Sequence, residues 1–168
     1  EQLDYARILY NRGLYMQSLK ILEKVKELSH TYFQDSLLGQ AISLEKKIET
    51  LHITRSMQNR PEKLTEEAIE VNERRKNITK LSNLALQMYS WYVKYGHARN
   101  EEEEKKVKKY FNQNLPSNAR KLTGCYERLY LCQSSCWYAF ICQDFLKYYR
   151  YAQKWVDLFN EHSVMIPV

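Results

Sequence analysis

The chain has 168 residues, 44% of them hydrophobic and 13% aromatic, with 26 Lys and Arg against 20 Asp and Glu for a net charge of +6. That apolar share can build a core and excludes a wholly disordered chain. Four Gly and three Pro are too few for the many tight connections of a β-sandwich or barrel, and Lys, Glu or Gln interrupts every apolar run before the roughly 20 residues that span a bilayer, so a soluble all-α protein is expected.

In chain order, Leu3, Tyr5, Ala6, Leu9 and Tyr10 follow helical spacing, Asn11-Arg12-Gly13 stops it, and Tyr15, Leu19, Leu22, Val25 and Leu28 begin a second stripe. Two antiparallel helices joined by a short turn are predicted. A third helix is expected from about Gln34 through Leu37, Leu38, Ala41, Leu44 and Ile48, and the polar stretch Thr54 to Asn59 reads as a loop. Pro61 suits the first turn of an unusually long fourth helix, whose stripe runs through Leu64, Ala68, Val71, Ile78, Leu81, Ala85, Met88, Tyr92 and Tyr95 to Gly96. The polar block Asn72 to Asn77 shifts the phase of this stripe, which predicts a kink, a break or a solvent-crossing waist. A fifth, amphipathic helix covers Asn100 to Asn114, a sixth runs from about Ser117 to Ile141, and a seventh from Asp144 to Asn160 carries Phe145, Tyr149, Ala152, Val156 and Phe159 on one face. Short connections fit antiparallel neighbours.

The positive charge is dispersed: Lys and Arg alternate with Glu, the pattern of solvated helix faces. Glu101/Lys105, Glu102/Lys106 and Glu104/Lys108 have the spacing of i,i+4 pairs. Cys125, Cys132, Cys136 and Cys142 share one stretch without a CxxC, and His30, His52, His97 and His162 are scattered, so no metal or cofactor is expected. Cys132 and Cys136 lie one helical turn apart, too far for a sound disulfide, and the thiols read as small apolar residues. Cys132, Cys136 and Cys142 should be reduced, metal-free and mostly inaccessible. Without a leader-like segment or a disulfide framework, a reducing cytoplasm is the expected compartment. The chain starts at Glu1 and ends on the apolar Val164-Met165-Ile166-Pro167-Val168, which reads as a piece of a longer protein.

One internal similarity stands out. Ala6, Leu9, Gly13, Tyr15, Ser18, Leu22 and Val25 recur at identical spacing as Cys136, Ala139, Gln143, Phe145, Tyr148, Ala152 and Trp155. Gly13-Leu14-Tyr15-Met16-Gln17-Ser18-Leu19, with Ala6 upstream and Val25 downstream, resembles the tetratricopeptide repeat, and the chain as a whole is similar to uncharacterised bacterial tetratricopeptide-like proteins. Tyr148 and Trp155 replace small residues of that pattern, and His30 stands where Pro is usual. The resemblance implies a single domain over 1–168, in which antiparallel helix pairs stack as a degenerate right-handed α-solenoid of about seven helices. It also implies that the helix A positions beside the small packing residue line a concave groove: Leu3, Arg7 and Tyr10 in the first repeat, Gln133, Trp137 and Phe140 in the last. Arg7, Tyr10, Gln133 and Trp137 should then be partly exposed on one connected surface. Arg7 stands where carboxylate-clamping repeats carry Asn, so a chaperone terminus is not implied as partner.

No Gly-rich phosphate loop, HExxH or GxSxG occurs, Glu66-Glu67 and Glu101 to Glu104 read as surface acids, and no enzyme is expected. The first functional reading is a protein- or peptide-binding scaffold. The alternative is a nucleic-acid or regulatory module that uses Lys147, Tyr148, Arg150, Tyr151, Lys154 and Trp155, a basic-aromatic face able to stack bases and pair phosphates. The three aromatics of that face also predict that the native protein continues past Val168 with another helix packed on it, and that this piece alone hides the face by self-association or leaves it as an apolar patch.

Overall fold

The computed structural model describes residues 1–52 and 60–163. They form seven α-helices: α1 (Gln2–Asn11), α2 (Tyr15–Thr31), α3 (Asp35–His52), α4 (Arg60–Tyr95), α5 (Glu101–Asn114), α6 (Cys125–Ile141) and α7 (Phe145–Glu161). A 3-10 turn at Ala119–Lys121 precedes α6, and no strand occurs among the described residues. The chain is all-α as its composition predicts. The loop expected over Thr54 to Asn59 and the apolar end at Val164 to Val168 lie outside the described residues.

α4 is an unbroken helix of 36 residues, so the block Asn72 to Asn77 does not interrupt it. Its effect is on packing, since contacts divide the chain into two compact units, Glu1–Arg75 and Lys76–Val168, with the boundary inside that block.

In the first unit, α1, α2 and α3 bury Leu3, Ala6, Leu19, Leu22, Val25, Ala41 and Ile48 together. Leu38 and Ile42 of α3 meet Leu64, Ala68 and Val71 of α4. Ala6 is wholly buried, and the Ser18 hydroxyl donates to its carbonyl at 2.8 Å. This is where α1 and α2 come closest, and small side chains permit it. The buried Glu45 carboxylate accepts from Lys26 Nζ and from Arg60 Nη2, each at 3.0 Å, while Arg60 Nε reaches Glu49 at 2.9 Å and Lys26 also pairs with Glu67. A buried carboxylate is tolerated only with such partners.

The α1–α2, α2–α3 and α6–α7 connections are the same turn built three times. Gly13, Phe33 and Gln143 adopt positive φ (75°, 54° and 57°). In each, that residue's N–H donates three residues back, Gly13 to Tyr10, Phe33 to His30 and Gln143 to Phe140. The next N–H donates five back, Leu14 to Leu9, Gln34 to Ser29 and Asp144 to Ala139. This Schellman arrangement satisfies the last carbonyls of one helix and turns the chain directly into the next.

In the second unit the core joins Leu84 and Met88 of α4, Val107 and Phe111 of α5, and Tyr138 and Ile141 of α6. Phe111 and Tyr138 stack with ring centroids 4.4 Å apart. The sixth helix begins at Cys125, later than the expected Ser117, because Gly124 and Glu127 set its start. The Glu127 carboxylate, 2% exposed, accepts the Gly124 N–H at 3.0 Å and the Asn77 side-chain amide at 2.6 Å. The first contact reaches back over one turn as a capping box does; the second explains why Asn77, within a polar block, is buried.

α7 corrects the expected core face. Phe145, Tyr149 and Val156 are 64%, 66% and 56% exposed, whereas Leu158 is buried and Tyr151, Ala152, Trp155 and Phe159 are half-buried. Both stripes are apolar, so size alone cannot choose between them. The register that packs is the one aligned with Leu22 and Val25 of α2.

Candidate functional site

Two surfaces gather the residues singled out by sequence, one in each unit. In the first, Arg7 is exposed, and its guanidinium donates to Asp4 at 3.0 Å and to Gln40 of α3 at 2.8 Å. Tyr10 is half-buried, its ring 5.7 Å from Tyr15 and 5.6 Å from His52, with Lys47 Nζ 4.8 Å above it. Tyr15 stacks on His52 at 4.0 Å. Leu3, expected beside them, is 7% exposed and belongs to the core, because it sits where α1 meets α2 and α3. The face is therefore polar and aromatic, shared by α1, the start of α2 and α3. Gln40, Lys47 and His52 are its unforeseen members. A signal existed, since Gln40 follows Arg7 by 33 residues, close to one repeat length of roughly 34.

In the second unit Trp137 is half-buried, with ring centroids at 5.0 Å from Tyr89, 5.8 Å from Tyr92 and 6.1 Å from Phe140. Phe140 in turn meets Tyr92 at 5.1 Å, His97 at 4.8 Å and Tyr148 at 5.9 Å. Tyr89 and Tyr148 are 47% and 40% exposed, so the cluster opens to solvent. Leu86 and Val93 share the face of α4 that carries Tyr89, and both are exposed. Gln133 lies one turn before Trp137 and is half-buried. Tilted and edge-on pairs at these separations are the favoured aromatic geometries. Sequence reasoning found Trp137, read Tyr92 as part of the apolar stripe of α4, against whose core it is half-buried, and missed the exposed Tyr89 three residues before it.

The six residues of the basic-aromatic face do not form one stripe. Tyr148 belongs to the Trp137 cluster, Lys147 Nζ sits 4.4 Å over the buried Tyr138 ring, and Lys154 Nζ sits 5.2 Å over Tyr151. Tyr151 and Trp155 are half-buried, and Arg150 is exposed. Tyr151 and Lys154 also border a cleft of about 440 Å³ with Arg120 and Arg128, where Asp157 and Glu161 balance the charge and Glu161 pairs with Arg128 at 2.9 Å. Lys147, Arg150 and Lys154 do line one shallow hollow.

No disulfide links the four cysteines; Cys125, Cys132 and Cys136 are buried and Cys142 is half-buried. Burial raises every one of these thiols, Cys136 to about 11. At neutral pH such a shift lowers the reactive thiolate fraction of Cys136 by about 100-fold. A thiol reagent at pH 8 is therefore expected to modify Cys142 first and the other three only as fast as the unit opens. Rapid labelling of all four in the folded protein would show that the thiols are an accessible chemical site. Among the described residues no cluster of His, Cys, Asp and Glu is placed to hold a metal ion, and no helix is long and apolar enough to cross a membrane.

Comparison with family models, with curated proteins and with solved structures finds no match for this chain.

Proposed function

We propose that this chain is a tetratricopeptide-like helical-repeat module that binds a protein or peptide and carries no catalytic activity. The observation that carries the reading is the solvent-open ring cluster around Trp137, Tyr89 and Tyr148. Half-buried aromatics held in fixed geometry are the side chains that dominate binding energy at interfaces. Three copies of one helix-to-helix turn and the pairing of Arg7 with Gln40 across α1 and α3 support a repeat architecture, in which the first helix of each pair faces the partner. Cysteines outside any disulfide suit a reducing cytoplasm.

Affinity capture with the full-length protein tests the reading. Replacing Trp137 with Ser is expected to cost at least about 2 kcal/mol of partner binding, roughly 30-fold. Tyr32→Ser, at an exposed position in the other unit, should retain the partner. Equal capture by both variants, with unchanged helicity, would remove the ring cluster from the interface. A nucleic-acid role is the second reading, carried by the hollow that Lys147, Arg150 and Lys154 line. It requires binding that falls steeply with salt as phosphate contacts release counterions.

A further inference from the structure

A cavity of about 460 Å³ in the second unit lies between the C-terminal turns of α4 and the first turns of α5. Trp91 and Tyr95 supply its aromatic wall, their ring centroids 5.6 Å apart. Lys94, Arg99 and Lys106 line it with one carboxylate, Glu103, which already accepts the Arg99 backbone N–H at 2.9 Å. None of the three cationic side chains pairs with an acid among the described residues. Of the i,i+4 pairs expected along α5, Glu101 and Lys105 meet at 3.5 Å, whereas Glu102 and Lys106 stay apart. Lys106 is thereby left to the cavity.

The loop side of the cavity is fixed in advance. The connecting loop is tied to the end of α6 by the Ala98 N–H donating to the Ile141 carbonyl at 2.9 Å and by His97 Nδ1 donating to the Phe140 carbonyl at 2.9 Å. The Gln143 side-chain amide donates to the Ala98 carbonyl at 3.4 Å. Gly96, at φ 72°, lets the chain leave α4 sharply enough to shape the opening. A preformed site with a few convergent charged groups and an aromatic wall, in the size range of roughly 300–1,000 Å³, is the usual form of a small-molecule pocket.

We propose that this cavity binds a nucleoside monophosphate, its base against Trp91 and Tyr95 and its phosphate between Lys94, Arg99 and Lys106. The charge decides against a carboxylate ligand. Three cations facing one engaged carboxylate match a phosphate monoester, which carries about −1.5 to −2 at neutral pH, and a single negative charge leaves them undercompensated. The two rings are inclined at 60°, which leaves the face of one to a base, and a base separated from its phosphate by a sugar lets stacking and ion pairing occur on different walls.

Isothermal titration of the full chain with each of the four ribonucleoside monophosphates, with inorganic phosphate and with phosphotyrosine tests this. At least one nucleotide is expected to bind saturably at one site, at least 10-fold more tightly than inorganic phosphate and than phosphotyrosine. The Lys94→Ala/Arg99→Ala double variant should weaken it at least 10-fold, and Tyr95→Ala several-fold. Lys94, Tyr95 and Arg99 are all exposed, so the fold should persist, which unchanged helicity and melting temperature would verify. No saturable nucleotide binding at millimolar concentration, tighter binding of phosphotyrosine, or an affinity indifferent to these substitutions would overturn the assignment.

Discussion

Replacing Glu127 with Ala is expected to destabilise the second unit by about 2–4 kcal/mol, the sum of two losses at one buried carboxylate. The Gly124 N–H at the start of α6 loses its acceptor at 3.0 Å, and the Asn77 amide of α4 loses its acceptor at 2.6 Å. The Asn77 amide lies where water does not replace the carboxylate, Asn77 being 5% exposed and Glu127 2%, while Gly124 is half-buried. Set against a typical total of about 5–15 kcal/mol, the loss would lower the midpoint of urea unfolding visibly. Asn77→Ala leaves the carboxylate buried with the Gly124 N–H alone, so it too should cost more than about 1 kcal/mol. The double variant should then show coupling of about 1 kcal/mol or more, since the two side chains satisfy each other. Single and double variants within about 0.5 kcal/mol of the parent would mean that this pair is replaced by water at no cost.

The sequence marks six of the seven helices closely because their stops are local chemistry. Gly13 and Gly96 take positive φ at helix ends, and Asn100 caps α5 by accepting the Glu103 N–H. The sixth is displaced by about eight residues for a reason that is not local. Leu122 to Gly124 carry no strong stop, and the start at Cys125 depends on Glu127 finding Asn77, fifty residues away. Likewise Phe33 and Gln143 fill left-handed positions that favour Gly, so two of the three equivalent turns carry no glycine signal, and it is the apolar periodicity on either side that places them.

Trp137 was legible as a candidate only through the resemblance to the tetratricopeptide repeat, which puts the residue after the small packing position Cys136 on the groove. Its partners were not legible, for a ring cluster joins Tyr89 and Tyr92 to residues some fifty positions later, and helical periodicity is blind to such pairing. The basic-aromatic face fails as a single surface for a related reason. Charges and rings adjacent along α7 are dealt to different neighbours, Lys147 to Tyr138 and Tyr148 to Phe140.

The register of α7 carries the second large expected effect. Leu158 is 1% exposed and Tyr149 is 66% exposed, although both lie on the same helix and both are apolar. Leu158→Ala should cost about 2–5 kcal/mol, the usual range for a buried leucine whose site collapses only in part. Tyr149→Ser removes little buried area and should stay within about 0.5 kcal/mol. The opposite order would restore the stripe of Phe145, Tyr149 and Val156 as the packed face. The same helix leaves Phe145, Leu146, Tyr149 and Val156 open to solvent, a run of apolar side chains of the kind that soluble surfaces seldom expose together. If that run mediates self-association, the Phe145→Ser/Tyr149→Ser variant should sediment as a smaller species than the parent at equal concentration, at unchanged melting temperature in dilute solution. A parent and variant that sediment alike would leave Phe145 and Tyr149 outside any self-contact.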